Sequence, residues 1–342
     1  DDNNRIIPLL YKACEKVALA RRVQQLEKRL GDKLSFDKII GNSTAIKTAI
    51  GLAQKVAITN TTVLLPGETG TGKEVFAQAI HQASARRERS FVAINCAAFT
   101  KDLLENELFG HKSGAFTGAN KDQRGLFEEA HLGTIFLDEV GEMALELQAK
   151  ILRVLETGEF LKIGDSKPTY VDVRIIAATN RNLHEEIASE HFRSDLFYRL
   201  SVFTVELPPL RERVQDIAPL AKYYVDIFAL KSNLKPLEMT TAFVQALESN
   251  VWRGNIRELK NVIERSVILS EGGVLDVQSL PFVQRDFREG AGILSNFSMS
   301  DMEKRHIARV LKHTNGNKAE AARLLEIGIA TLYRKIEEYK IQ

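Results

Sequence analysis

The chain has 342 residues, a formal net charge of +2 and 44% hydrophobic residues, enough for roughly two or three domains with a sizeable core. Its two cysteines, Cys14 and Cys96, offer no disulfide framework, its seven histidines show no metal-ligand spacing, and no apolar run is long enough to span a bilayer. This composition fits a cytoplasmic protein with no membrane partner, and the charge balance neither demands nor excludes nucleic acid.

Residues 6–30 predict one long helix, with Leu9, Leu10, Val17, Val23, Leu26 and Leu30 near a coiled-coil seam. A short linker at 31–33 follows. Asp1-Asp2 resembles a cut end more than a start, so the expectation is a dimerisation helix over 1–35 whose upstream regulatory domain is missing.

Thr62-Val63-Leu64-Leu65 reads as a buried strand, and Pro66 ends it. Gly67-Glu68-Thr69-Gly70-Thr71-Gly72-Lys73-Glu74 then has the spacing of a phosphate-binding loop. Its glycines let backbone amides curl around phosphates, and Lys73 reaches the outer ones. Residues 75–83 have helical character, so a helix N-terminus faces the same anion. Glu74 stands where a Ser or Thr hydroxyl ordinarily meets magnesium. Glycines plus a lysine can match by chance, but strand, loop and helix in this order outweigh that reading.

Phe91-Val92-Ala93-Ile94-Asn95 is a second strand, and its terminal amide could hydrogen-bond a carboxylate. Farther on, Gly114-Ala115-Phe116-Thr117-Gly118-Ala119 sets a charge-free apolar tip between two glycines. In isolation this is an ordinary turn with a buried Phe; inserted in a nucleotide-binding fold, it predicts an exposed contact loop. Gly133 to Leu137 is another apolar strand, ending in Asp138-Glu139 at the edge where open α/β sheets bind ligands. Asp138 is placed to hold Mg²⁺ through water, and Glu139 to polarise the water that attacks a γ-phosphate. Strands over 173–180, ending in Thr179-Asn180, and over 202–207, closed by Pro208-Pro209, complete a five-stranded parallel sheet.

At this point the chain resembles a known family, the AAA+ activators of sigma-54 RNA polymerase of the nitrogen-regulatory (NtrC) type. The resemblance is carried by Gly67 to Glu74, by Glu107-Leu108-Phe109-Gly110-His111 leading into Gly114 to Ala119, and by Phe136-Leu137-Asp138-Glu139. It implies an α/β AAA+ P-loop ATPase over 36–208, a helical lid over 209–284, a linker over 285–298 and an all-α Fis-type helix-turn-helix domain over 299–342. Glu74 is normal in that family. The cofactors implied are ATP and Mg²⁺, and the 114–119 loop is implied to engage the sigma factor.

Further roles come from the same resemblance. Asn95 matches the residue that restrains Glu139, while Thr179 and Asn180 match the first sensor. Arg193 and Arg199 match arginine fingers acting on a neighbouring subunit's γ-phosphate. Without the flanking pattern they would read as surface salt-bridge residues. Arg257 matches the second sensor, on the lid, and Arg253 stands where relatives usually have Pro. The partners implied are sigma-54 and RNA polymerase, enhancer DNA, further copies assembling from dimers into a six- or seven-subunit ring, and an upstream receiver domain with its sensor kinase.

At the C-terminal end, residues 301–313, 318–325 and 329 onward predict three helices, interrupted by Asn315-Gly316-Asn317. Met302, Ile307, Val310 and Leu311 are the inward positions of the first, and small Ala319, Ala321 and Ala322 let the second pack closely. Two helices joined by a tight turn suggest DNA binding. Nine Lys/Arg against six Asp/Glu over 301–342 is a modest excess that a solvated bundle could also show. The resemblance favours DNA and places Ile329, Ala330, Thr331, Arg334 and Lys335 on the reading helix. Two other functions compete with sigma-54 activation: another AAA+ remodeller, such as an unfoldase or helicase loader, or a repressor whose ATP site only sets oligomeric state.

Overall fold

The computed structural model describes residues 35–280 apart from 118, 233 and 271–272, and residues 303–339 apart from 305, 309, 312–313, 315–316 and 326. The helix expected over 6–30, the linkers at 31–33 and 285–298, Gly118 and Met302 lie outside the described residues. Two compact units are present, 1–280 and 281–342. Among the described residues no helix is long and apolar enough to cross a membrane.

In the first unit five strands form one parallel sheet, in the order Phe91–Asn95, Thr134–Asp138, Arg174–Thr179, Val63–Pro66, Phe203–Thr204. Side chains alternate across it, as the two-residue repeat of a strand requires. Leu64, Ile135, Leu137, Ile175 and Ala177 pack into a core on one face with Leu108, Phe109, Phe127 and Ile151. Val63, Leu65, Phe136, Ile176 and Ala178 pack on the other with Ile46, Phe76 and Ile80. Burial on both faces explains why these strands read as continuous apolar runs. The fifth strand is shorter than the predicted 202–207. Past Thr204 the chain still follows its neighbour, with Val205 and Leu207 amides donating to the Leu64 and Pro66 carbonyls at 2.9 Å each, until Pro208-Pro209 removes the donors.

Buried Arg174 ties the first long helix, Thr44–Ala57, to the sheet by donating to the Val56 and Ala57 carbonyls at 2.8 Å each. Burial holds this guanidinium down to about 10. Two hairpins rise from the core. Gly110–His111 pairs antiparallel with Gln123–Arg124, and Glu159–Leu161 with Pro168–Tyr170. The unit ends in helices Ile217–Lys231, Thr241–Glu248 and Asn255–Ile268, which share a separate core including Leu220, Phe228, Phe243, Trp252 and Ile263. The architecture is α/β, with a five-stranded parallel sheet and a helical lid.

In the second unit the residues described between 303 and 311 are helical. Helices Lys318–Leu324 and Ile329–Glu338 follow. Ile307, Ala321, Ala322 and Leu332 form its core, with Val310 and Leu311 packed against it as their spacing predicts. Asn317 does more than interrupt: its side chain caps the second helix by accepting from the Glu320 amide at 3.3 Å.

Candidate functional site

The phosphate loop connects the Val63–Pro66 strand to the Lys73–Gln82 helix. Gly72 begins that helix in the left-handed region, φ 105°. Gly70 is also left-handed, and a Cβ there would fall 2.3 Å from the Gly254 carbonyl oxygen, so only glycine fits. The loop is braced from inside by buried Thr71, whose hydroxyl donates to the Glu68 carbonyl at 2.8 Å. Lys73 is buried, and its Nζ donates to the Gly67 and Glu68 carbonyls at 2.9 and 3.4 Å. Glu74 is exposed on the first helical turn and accepts from Gln78 at 3.3 Å.

Across the sheet edge, Glu139 follows the strand in a left-handed backbone, φ 54° and ψ 47°. That conformation is unusual outside glycine and typical of functional sites. Its Oε1 lies 3.7 Å from Lys73 Nζ, and its Oε2 accepts the Asn180 amide at 3.1 Å. The Asn180 side chain donates to the Thr69 hydroxyl at 3.1 Å, linking the end of the Arg174–Thr179 strand to the phosphate loop. Thr179 is buried, and its carbonyl accepts the Gly67 amide at 3.1 Å. The bond from Asn95 to Glu139 that the sequence allowed is not the one made here. Asn95 pairs in register with Asp138, but its side-chain oxygen accepts the Ala97 amide at 2.9 Å, capping a short turn.

The edge carries a negative field. Cys96, buried beside it, has its thiol pushed up to about 12, first by burial and then by the Asp138 and Glu139 charges. Asp138 Oδ1 accepts the Glu139 amide at 3.0 Å. Among the described residues no group of three or more His, Cys, Asp or Glu side chains could hold a metal ion. Asp138 is the carboxylate that would hold a hard cation at this edge, where its charge would offset that of a bound phosphate. A cavity of about 870 Å³ adjoins the loop at Gly67 and Glu68, but its walls include neither Lys73 nor Asp138, so it is not the phosphate cradle.

The candidate fingers lie on or beside the Ser194–Leu200 helix, each tied to a carboxylate of its own chain. Arg193 makes two bonds to Asp195, at 3.1 and 2.7 Å, and Arg199 reaches Glu156 at 3.4 Å. Both are substantially exposed, at 42% and 58%. Arg257 is exposed, with its stem beside Gly70. The turn containing Arg253 is fixed without a proline: Trp252 is buried with its indole donating to the Leu247 carbonyl at 2.7 Å, and Asn255 is fully buried. Sequence reasoning did not single out Arg211, Arg213 and Asn255, lid-side residues that bond the phosphate loop, or Asp216, which accepts the Ser43 amide at 2.8 Å. Only Asn255 had a local signal, as a polar residue opening an amphipathic helix.

The 114–119 loop joins the strands of the first hairpin, between the Asn95 strand and the Asp138 strand. Its base is closed by Lys112–Asp122 at 2.6 Å, by the Ser113 amide on Asp122 at 2.9 Å and by the Gly114 amide on the Ala119 carbonyl at 2.8 Å. Phe116 is 47% exposed, with its ring edge-on to His111 at 4.9 Å, and Thr117 is exposed. Ala115 sits against Gly164 of the neighbouring hairpin. Ala119 departs from expectation. It is only 6% exposed, so the exposed part of the loop ends before it.

On the Ile329–Glu338 helix, Ile329, Ala330 and Arg334 are exposed, and Thr331 is half-buried. Lys335 corrects the sequence reading. Its ammonium donates to Glu303 Oε2 at 2.6 Å, the oxygen that also accepts the Tyr339 hydroxyl at 2.6 Å, and its side chain is only 18% exposed. Its charge is engaged within its own unit. Tyr333 takes its place on the exposed face, with Lys318 5.0 Å from its ring centre.

Comparison with known proteins identifies three matched regions. Residues 39–206 match the family described as Sigma-54 interaction domain, 211–291 the AAA+ ATPase lid domain, and 298–339 the Bacterial regulatory protein, Fis family. The chain is 42% identical to nitrogen fixation protein AnfA of Azotobacter vinelandii, over 97% of this chain and 63% of that protein. It is 40% identical to regulatory protein AtoC of Escherichia coli, over 97% of this chain and 74% of that one. The chain thus spans less than two thirds of AnfA. NtrX of Brucella abortus, solved in complex with ADP, superposes with a TM-score of 0.73 at 33% identity, covering 98% of this chain and 76% of NtrX. By domain order, by sequence and by fold, this chain belongs to the family of sigma-54-dependent AAA+ transcriptional activators.

Proposed function

We propose that this protein hydrolyses ATP to ADP and phosphate and uses the cycle to remodel sigma-54 RNA polymerase toward an open complex, from enhancer DNA held by its C-terminal unit. The loop amides and Lys73 bind the phosphates, Asn180 orients Glu139, and Glu139 takes the proton of the attacking water. A bound Mg²⁺ supplies charge neutralisation across the phosphate oxygens, with Asp138 as its protein ligand. Arg193 and Arg199 act across a subunit boundary in a ring and offset charge as the phosphoryl bond breaks.

The observation that carries this reading is the placement of the 114–119 loop. It rises from the segment joining Asn95 to the Asp138-Glu139 edge, and Asn95 and Asp138 are register partners. The Lys101–Phe109 helix runs from the Asn95 side to the loop base and is the path by which a shift of those strand ends with the γ-phosphate reaches the loop. Such a shift does work only if the partner prefers one nucleotide state. Binding to purified sigma-54 with and without ADP–aluminium fluoride tests this. Capture dependent on the analogue is expected, and an absence of capture in both states points instead to the repressor reading.

A further inference from the structure

The lid meets the phosphate loop through a set of long-range polar contacts. Asn255 is fully buried, has a left-handed backbone at φ 53°, and uses both ends of its amide. Its Oδ1 accepts the Leu210 amide at 2.7 Å. Its Nδ2 donates to Glu68 Oε2 at 3.1 Å and to the Thr69 carbonyl at 3.0 Å. Arg211 closes on the same Glu68 carboxylate with two bonds, at 2.8 and 2.6 Å. The next amide, that of Ile256, donates to the Gly70 carbonyl at 3.0 Å, and buried Arg213 donates to the Thr71 carbonyl at 3.1 Å.

A buried amide with three bonds to separate segments is costly to leave unpaired, so those segments move with it. Asparagine tolerates the left-handed backbone that aims its side chain at the loop. We propose that Asn255 is the positioning residue of the phosphate loop, locking Glu68 and Thr69 to the lid so that loop and lid shift together. This rests on the ATP-site reading above. Because Arg257 lies two residues farther along the same helix, lid displacement moves the loop and that arginine in concert. A misplaced loop weakens phosphate binding in the ground state and the transition state alike, so KM rises while kcat changes little.

Asn255→Asp tests this with minimal change of shape. It replaces the donor with a carboxylate facing that of Glu68; the other charged groups close by are Arg211 and Glu258, whose Oε2 accepts the Gly254 amide at 2.8 Å. Arg211 holds the Glu68 carboxyl below its ordinary value, so the introduced carboxyl, facing that charge, is the one whose pKa rises; both are ionised near pH 8, and lowering the pH returns a proton to the contact. With the full chain, we expect the variant's KM for ATP at about pH 8 to rise about tenfold relative to the parent, with kcat within about twofold. The ratio should shrink toward about pH 6. Adding Glu68→Gln should recover most of the loss at pH 8, because a neutral amide donates to the new carboxylate. The double variant also serves if the single one folds poorly. An unchanged KM, or a defect equal at both pH values and not relieved by Glu68→Gln, overturns the proposal while leaving the ATP site standing. A parent chain that neither binds nor hydrolyses ATP removes both.

Discussion

Lys73 Nζ and Glu139 Oε1 face each other at 3.7 Å, bringing together the cation of the phosphate loop and the carboxylate beyond the acidic strand. Glu139 is held from the other side by the Asn180 amide at 3.1 Å. A phosphate arriving at Lys73 therefore meets a carboxylate already oriented by a backbone donor. That pairing explains why the two motifs, 66 positions apart in the chain, make one site.

Glu139→Gln should bind ATP and hydrolyse it about 10²–10⁴-fold more slowly, the usual loss when an aligned base is removed. Steady-state phosphate release alongside a nucleotide-binding titration measures both. Near-normal turnover would remove Glu139 from the chemistry.

Arg193 and Arg199 are each paired within their own chain, with Asp195 and Glu156, and neither is bonded to the phosphate loop of that chain. Specific ATPase activity should rise steeply with protein concentration as subunits assemble. Mixing Arg199→Ala with Lys73→Ala subunits should restore part of the activity that each lacks, since one supplies an intact loop and the other an intact finger. A flat concentration curve without rescue would show that each site is complete in one chain.

The exposed and inward cations of the last helix should separate in experiment. Arg334→Ala should weaken binding to duplexes selected from a random pool by about tenfold, the scale of one lost base or phosphate contact, with the melting temperature unchanged. Lys335→Ala should lower the melting temperature of the C-terminal unit, because it strips the Glu303 carboxylate of its cation. The opposite pattern would return Lys335 to the DNA face.

His81 is buried, with Nδ1 2.9 Å from the Thr134 hydroxyl, and burial holds its pKa below the ordinary 6.5. The folded state therefore favours the neutral ring, and the unfolded chain takes up the proton first as the pH falls. Stability from this group is complete above pH 6.5 and is lost as the pH drops below it. The thermal midpoint should fall over that interval, and His81→Gln should flatten the dependence. A parent curve already flat from about pH 7.5 to 5.5 would contradict it.

The strands were legible because they are apolar runs bounded by polar or turn residues, three of them ending in the polar pairs or side chains Asn95, Asp138-Glu139 and Thr179-Asn180. What escaped was nonlocal. Glu68 meets Arg211 across 143 residues and Asn255 across 187, and Asp216 accepts the Ser43 amide across 173. No periodicity encodes such pairs; they exist only once the lid has folded over the loop. Lys335 misled for the same reason, since its outward charge is cancelled by Glu303, 32 residues back. Ala119 lies in the stretch read as an exposed tip, but its amide and carbonyl close the loop base, and that draws it inside.

Thr117 is exposed on a loop that carries no group suited to phosphate chemistry, inserted in the chain between the strands that end in Asn95 and Asp138. The decisive measurement is therefore a pair of assays on one preparation of Thr117→Ala: phosphate release, and open-complex formation at a sigma-54 promoter. Hydrolysis should stay within about twofold of the parent, since no phosphate contact is lost, while open-complex formation disappears. Normal transcription, or a parallel loss of hydrolysis and transcription, would show that the 114–119 loop does not couple the ATPase to its partner.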